Sequence, residues 1–146
     1  MEQEIKRILW IDDDIEGYPL IPYIDEFKVN GFTIVKAKNP DESEKILSKE
    51  HDFQCIIVDI SMPCGNRIPM KAVKGGMLTG LVVLKELVDN PDLKNVKKVV
   101  FCAVVDKEVQ DFCEKQTPQI PCLKIIENAP HELVEKIEMI ISQPQK

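Results

Sequence analysis

The chain has 146 residues, of which 44% are hydrophobic and 30% charged, and its formal net charge is −6. That length fits one domain able to bury its own core, and the balance excludes a disordered chain. The negative charge argues against a nucleic-acid binder that works through bulk electrostatics, and no apolar run approaches the length of a membrane span.

Residues 1–7 are charged and lead straight into a strand, so no signal peptide is expected and the protein is placed in the cytoplasm. The first strand covers residues 8–11 (Ile-Leu-Trp-Ile) and ends in Asp12-Asp13-Asp14. Leu20, Ile24 and Phe27 recur at helical spacing, and Asn30-Gly31 supplies a C-cap. A second strand follows over residues 32–35, still carrying Thr33 and running into Lys36 and Lys38. Asn39-Pro40 reads as the N-cap and first residue of a helix over residues 41–49. The third strand, residues 55–58, is wholly apolar and ends in Asp59.

Residues 62–79 break the rhythm with no convincing helix or strand, and form a basic loop insertion. Between Asp59 and Glu86 every charge is positive: Arg67, Lys71, Lys74 and Lys85. Leu81, Leu84 and Val88 then make a third helical stripe, closed by Asn90-Pro91. The fourth strand covers residues 99–103. Asp106 caps a fourth helix burying Val109, Phe112 and Cys113, and a fifth strand lies within residues 120–126. Leu133, Ile137, Ile140 and Ile141 form the last stripe, entered through Pro130, and residues 142–146 read as a frayed tail.

Five βα units in one chain argue an α/β fold with a doubly wound, five-stranded parallel sheet, covered on both faces where strands 1, 3 and 4 are continuously apolar. Strand 2 keeps polar residues, and Pro121 removes a ladder donor near strand 5, so these two are the edges. The order is then 2-1-3-4-5, with the ligand site outside the carboxyl ends of strands 1 and 3. The five cysteines are odd in number and lack C-x-x-C spacing, which fits reduced thiols in a reducing compartment.

Asp12, Asp13 and Asp59 meet at that switch point if strands 1 and 3 are neighbours. Like charges so close raise one another's pKa unless a cation shares the site. An all-oxygen donor set with few carboxylates suits Mg²⁺, and a carboxylate can attack phosphorus to give an acyl phosphate. Together these describe a phosphoryl-transfer site with Asp59 as the nucleophile.

At this point the residues resemble a family. Ile8 through Asp14 is similar to the first strand and acidic pair of response-regulator receiver domains. Ile56-Ile57-Val58-Asp59-Ile60-Ser61-Met62-Pro63 is similar to their phosphorylation strand, and Val100-Phe101-Cys102-Ala103 to their fourth strand. The resemblance covers nearly the whole chain and implies a single receiver-like domain over residues 1–146, with a flavodoxin-like fold. It implies that Asp59 accepts the phosphoryl group from a phosphohistidine of a histidine kinase or phosphotransfer protein. It further implies that Asp12, Asp13 and Asp59 hold Mg²⁺ together with the Ser61 backbone carbonyl. Output of such a stand-alone receiver runs through a separate partner protein, with no nucleic acid and no membrane.

The chain departs from the family in three places. Cys102 stands where the family usually has a switch Thr or Ser, and a thiol is a weak donor. Lys124 is the nearest candidate for the family's lysine after strand 5, but the proline that usually follows is missing, and counting back from the last helix lands on Ile126. The basic insertion replaces a short link, and Arg67, Lys71 or Lys74 are candidates to fold over the acidic pocket as phosphate contacts. Two rival readings stand beside the receiver. One is a pseudo-receiver, a protein-binding module without phosphotransfer. The other is a haloacid-dehalogenase-like phosphatase with Asp12 as nucleophile and Asp14 as acid.

Overall fold

The computed structural model describes residues 6–143. Five strands, β1 (Arg7–Ile11), β2 (Thr33–Ala37), β3 (Cys55–Val58), β4 (Lys97–Cys102) and β5 (Cys122–Lys124), alternate with five helices. The helices are α1 (Ile21–Val29), α2 (Pro40–Leu47), α3 (Thr79–Asp89), α4 (Lys107–Glu114) and α5 (Pro130–Ser142). All strand pairs are parallel and the order is β2-β1-β3-β4-β5, as the sequence pattern requires. Residues 1–5, where the expected leaderless start falls, and 144–146 of the expected frayed tail lie outside the described residues.

The period of two along each strand divides the core into two layers. Leu9, Ile11, Ile56, Val58, Val100 and Cys102 pack beneath α2, α3 and α4. Ile8, Trp10, Cys55, Ile57, Val99 and Phe101 face the other way, toward α1 and α5. Both faces of the three central strands are therefore dry, which is why their sequences show no polar alternation. In the second layer Trp10 stacks edge-on against Phe27 and Phe101, with centroids 6.0 and 5.9 Å apart.

Local chemistry sets the boundaries. The Asn39 side chain accepts a hydrogen bond from Glu42 N, and Pro40 opens α2. Asp106 caps α4 by accepting from Glu108 N. Pro121 precedes β5, so its missing N–H costs no ladder bond, while its carbonyl still accepts from Val100 N at 2.9 Å. β2 begins one residue later than its hydrophobic run suggests, because Phe32 is spent on the core against Phe27 after the turn at Gly31.

The basic segment after β3 contains one short 3₁₀ helix, Met70–Gly76, broken at Val73, Lys74 and Gly75. It is packed down: Ile68 and Val73 are buried, and Met62 N donates to Gly76 O at 3.2 Å. Gly76 has φ +105°, and a Cβ there would sit 3.0 Å from the Met62 carbonyl, so glycine is required at this approach. Four residues on, Gly80 lies in the first turn of α3 and donates to Ile60 O at 2.8 Å. A Cβ on Gly80 would stand 2.0 Å from the Asp59 carbonyl oxygen, so the helix reaches the site loop only because that side chain is absent.

Candidate functional site

The carboxyl ends of β1 and β3 lie side by side, with Ile11 paired to Val58. Each strand therefore delivers its next residue to the same place. Asp12 N donates to Ala37 O and Asp59 N to Ile11 O, both at 2.9 Å, so the ladder continues through the two acids and fixes their backbones. Carboxylate oxygens of Asp12, Asp13 and Asp59 all lie within 4.8 Å of one another. Asp12 is buried, Asp59 half-buried and Asp13 exposed.

Two backbone amides steady the pair. Asp14 N donates to Asp12 Oδ1 at 2.8 Å, and Ile60 N donates to Asp59 Oδ1 at 2.9 Å. These bonds favour the charged forms but do not prevail. Burial, reinforced by the neighbouring acids, pushes Asp12 up to about 6; burial and then the charge of Asp12 push Asp59 up to about 7.

The acids open into a cavity of about 400 Å³ whose wall also includes Ser61, Met77, Cys102, Val104, Asp106 and Ile125. Neither lysine nor arginine lines it among the described residues. Cys102 is buried; its thiol donates to Val104 O at 3.3 Å, and burial followed by the charge of Asp59 pushes it up to about 12. The cavity wall at Cys102 is thus a neutral thiol already committed to a backbone carbonyl.

The three cationic candidates of the basic segment are placed away from the acids. Arg67 makes a two-pronged contact with Glu86, at 2.7 Å from each nitrogen, and its Nε pairs with Glu44. It ties the basic segment to α2 and α3 on the sheet's flank. Lys74 lies 4.0 Å from Glu108 of α4, and Lys71 is exposed outside the cavity wall. The segment contributes Met77 to the cavity and no positive charge.

Lys124 does not line the acidic cavity. It pairs with Cys102 in the β4–β5 register and lines a separate cavity beside Gln110 and Cys113. Ile125 lines the acidic cavity instead. Removing the Arg67 side chain, as in Arg67→Ala, is accordingly expected to cost about 1 kcal/mol of stability and to leave any chemistry at Asp59 unchanged. A denaturant melt alongside a phosphoryl-labelling assay checks both halves.

Sequence reasoning also missed residues. Ile125, Met77 and Val104 give no polar signal, and their place on the wall depends on loop paths. Asp106 read only as a helix cap, yet it serves as the cap and lies on the cavity wall. Gly80 gives no chemical signal either, since what constrains it is its close approach to the Asp59 carbonyl.

With this geometry established, the fold is that of CheY-like response-regulator receiver domains. A receiver-domain protein of Methanospirillum hungatei superposes with a TM-score of 0.68 at 20% identity, over 94% of both chains. A response regulator of Thermotoga maritima gives 0.65 at 17%, over 94% of this chain and 98% of that one. A response regulator protein of Burkholderia pseudomallei, solved with a phosphorylated aspartic acid, a calcium ion and citrate, gives 0.66 at 21%, over 94% of this chain and 67% of that one. No protein-family model matches the chain. Among curated proteins, the potassium-transporting ATPase ATP-binding subunit of Thermoplasma volcanium is 27% identical over 116 residues, which is 71% of this chain but 17% of that subunit. Among the described residues no helix is long and apolar enough to cross a membrane.

Proposed function

We propose that the protein is a phospho-accepting receiver of a two-component phosphorelay, with Asp59 as the acceptor. The observation that carries this reading is the convergence of three carboxylates within 4.8 Å at the switch point of a receiver fold. In the proposed transfer an Asp59 carboxylate oxygen attacks the phosphorus of a partner's phosphohistidine. The P–N bond breaks and its electron pair stays on the imidazole. The partner is a histidine kinase or phosphotransfer protein in the cytoplasm, and a separate protein reads the phosphorylated state.

The donor set fits a hard divalent cation, Mg²⁺ in the first place: hard oxygens alone, two of the three acids raised by burial and mutual repulsion, and a cavity wall without a lysine or arginine. Asp12, Asp13 and Asp59 would hold it, with Ser61 on the same wall as the backbone ligand. Such an ion, once bound, neutralises the charge that builds on the phosphoryl oxygens. The chain's own part is positional: the ladder bonds of Asp12 and Asp59 fix the two carboxylates, and Ile60 N leaves one Asp59 oxygen free to attack.

Thermal melting tests this. Mg²⁺ with beryllofluoride, a phosphoryl analogue, should raise the melting temperature by several degrees more than Mg²⁺ alone, and Asp59→Asn should erase that increment. A protein indifferent to both would instead favour the pseudo-receiver reading, which has its own support in the Cys102 thiol and in a cavity wall without a lysine or arginine among the described residues.

A further inference from the structure

All five cysteines are free thiols, and two of them meet across the boundary between α4 and β5. Cys113 lies in the last turn of α4 and is 1% exposed; Cys122 opens β5 and is half-buried. The two elements are stitched at this point, since Cys113 O accepts from Ile120 N at 3.1 Å. Each thiol is the strongest electrostatic influence on the other, and the Cys122 thiol donates to Ile120 O at 4.0 Å. Both line one surface cavity of about 340 Å³, together with Gln110, Glu114 and Lys124, through which a small reagent can reach the half-buried Cys122.

The two sulfurs differ in character. The neighbouring Cys122 thiol, followed by burial, holds the Cys113 thiol up, while the Cys113 thiol draws Cys122 below its ordinary value. One accessible, more readily ionised sulfur beside a buried partner is the arrangement of a nucleophilic and a resolving cysteine. Neither residue belongs to the acidic cavity, and nothing in the phosphorylation reading uses them.

We propose that Cys122 and Cys113 form an oxidisable dithiol, a disulfide-forming modification site that takes peroxides as its oxidant. The Cys122 thiolate attacks one peroxide oxygen and the O–O bond breaks, leaving a sulfenic acid on Cys122 and, with one proton, a first water. The Cys113 sulfur then attacks Cys122, the S–O bond breaks, and the leaving hydroxide takes the Cys113 proton as a second water. Two thiols lose two electrons and one hydrogen peroxide is reduced to two waters. The bond would lock the end of α4 to the start of β5, one strand away from Cys102.

Tryptic mapping separates the relevant thiols: Cys102, Cys113 and Cys122 fall in peptides 99–107, 108–115 and 116–124, and Cys55 and Cys64 share 50–67. Folded protein is treated with hydrogen peroxide, alkylated, digested and analysed by mass spectrometry. The expected product joins 108–115 to 116–124 and disappears on reduction, while Cys55 and Cys64 stay alkylatable after unfolding. Before oxidation, Cys122 should alkylate on the order of tenfold faster than Cys113. Cys113→Ser should leave a sulfenic acid on Cys122 that a dimedone-type reagent traps; Cys122→Ser should leave Cys113 reduced. The proposal is overturned if the joined peptide forms only after denaturation, if Cys102 is the partner, or if Cys122 over-oxidises in the wild type without forming the link.

Discussion

Gly80→Ala should lower the melting temperature by roughly 10 °C, the equivalent of about 2–4 kcal/mol in a domain of this size. The added methyl would stand 2.0 Å from the Asp59 carbonyl oxygen and 2.6 Å from Ile60 Cα, both backbone atoms that no rotamer change can move. The first turn of α3 must therefore retreat, breaking the bond from Gly80 N to Ile60 O. The displaced atoms belong to the residue proposed to accept phosphate, so labelling should fall along with stability. Gly75→Ala is the control: it has positive φ but nothing within 4 Å of the new methyl, so only backbone strain of about 1 kcal/mol applies. Similar losses from the two substitutions, read by calorimetry, would refute the close-packing explanation.

Asp59→Asn should do two opposite things: abolish covalent phosphorylation, by on the order of a thousandfold or more, and stabilise the protein free of divalent cations by about 1–2 kcal/mol at pH 8. The second effect follows from proton linkage. Asp12 and Asp59 ordinarily titrate near 3.8 and are raised to about 6 and about 7 in the fold. The folded state thus holds these protons more tightly than the unfolded chain. The stability they contribute is fully present below about pH 4 and is lost as the pH rises through about 6 to 7. Above that window the acids are charged, desolvated and mutually repelling, so an amide at position 59 is favourable there. It can still accept from Ile60 N. The gain should shrink toward pH 4, where wild-type Asp59 is already neutral. Melting curves of both proteins in chelator across pH 4–8 measure this; a variant less stable than wild type at pH 8 would show that Asp59 is held by favourable contacts instead.

Much of this site could be read from the sequence because burial writes itself plainly in strands. Continuous apolar runs at residues 8–11 and 55–58 could only be central strands, and each hands an aspartate to the sheet's carboxyl edge. Asn39-Pro40 and Asp106 announced their helices through capping chemistry. The positive charges were misplaced for equally physical reasons. Arg67 showed its sign but not its direction, which Glu44 and Glu86 decide from helices far away in sequence. Lys124 sits on a strand of three residues, too short for its pattern to say which cavity the side chain reaches. Ile125 beside it lines the acidic cavity. Gly80 carried no pattern at all, because the constraint on it is a close approach between a helix and a loop that only the folded chain creates.

The measurement that bears most directly on the receiver reading is peptide mapping after incubation with a small phosphodonor such as acetyl phosphate, with and without Mg²⁺. One phosphoryl group on Asp59, formed only with the cation and absent in Asp59→Asn, is the predicted result. A phosphoryl group on Asp12 instead would point to the haloacid-dehalogenase-like chemistry, and a chain left unmodified under both conditions would contradict phosphate acceptance at this site.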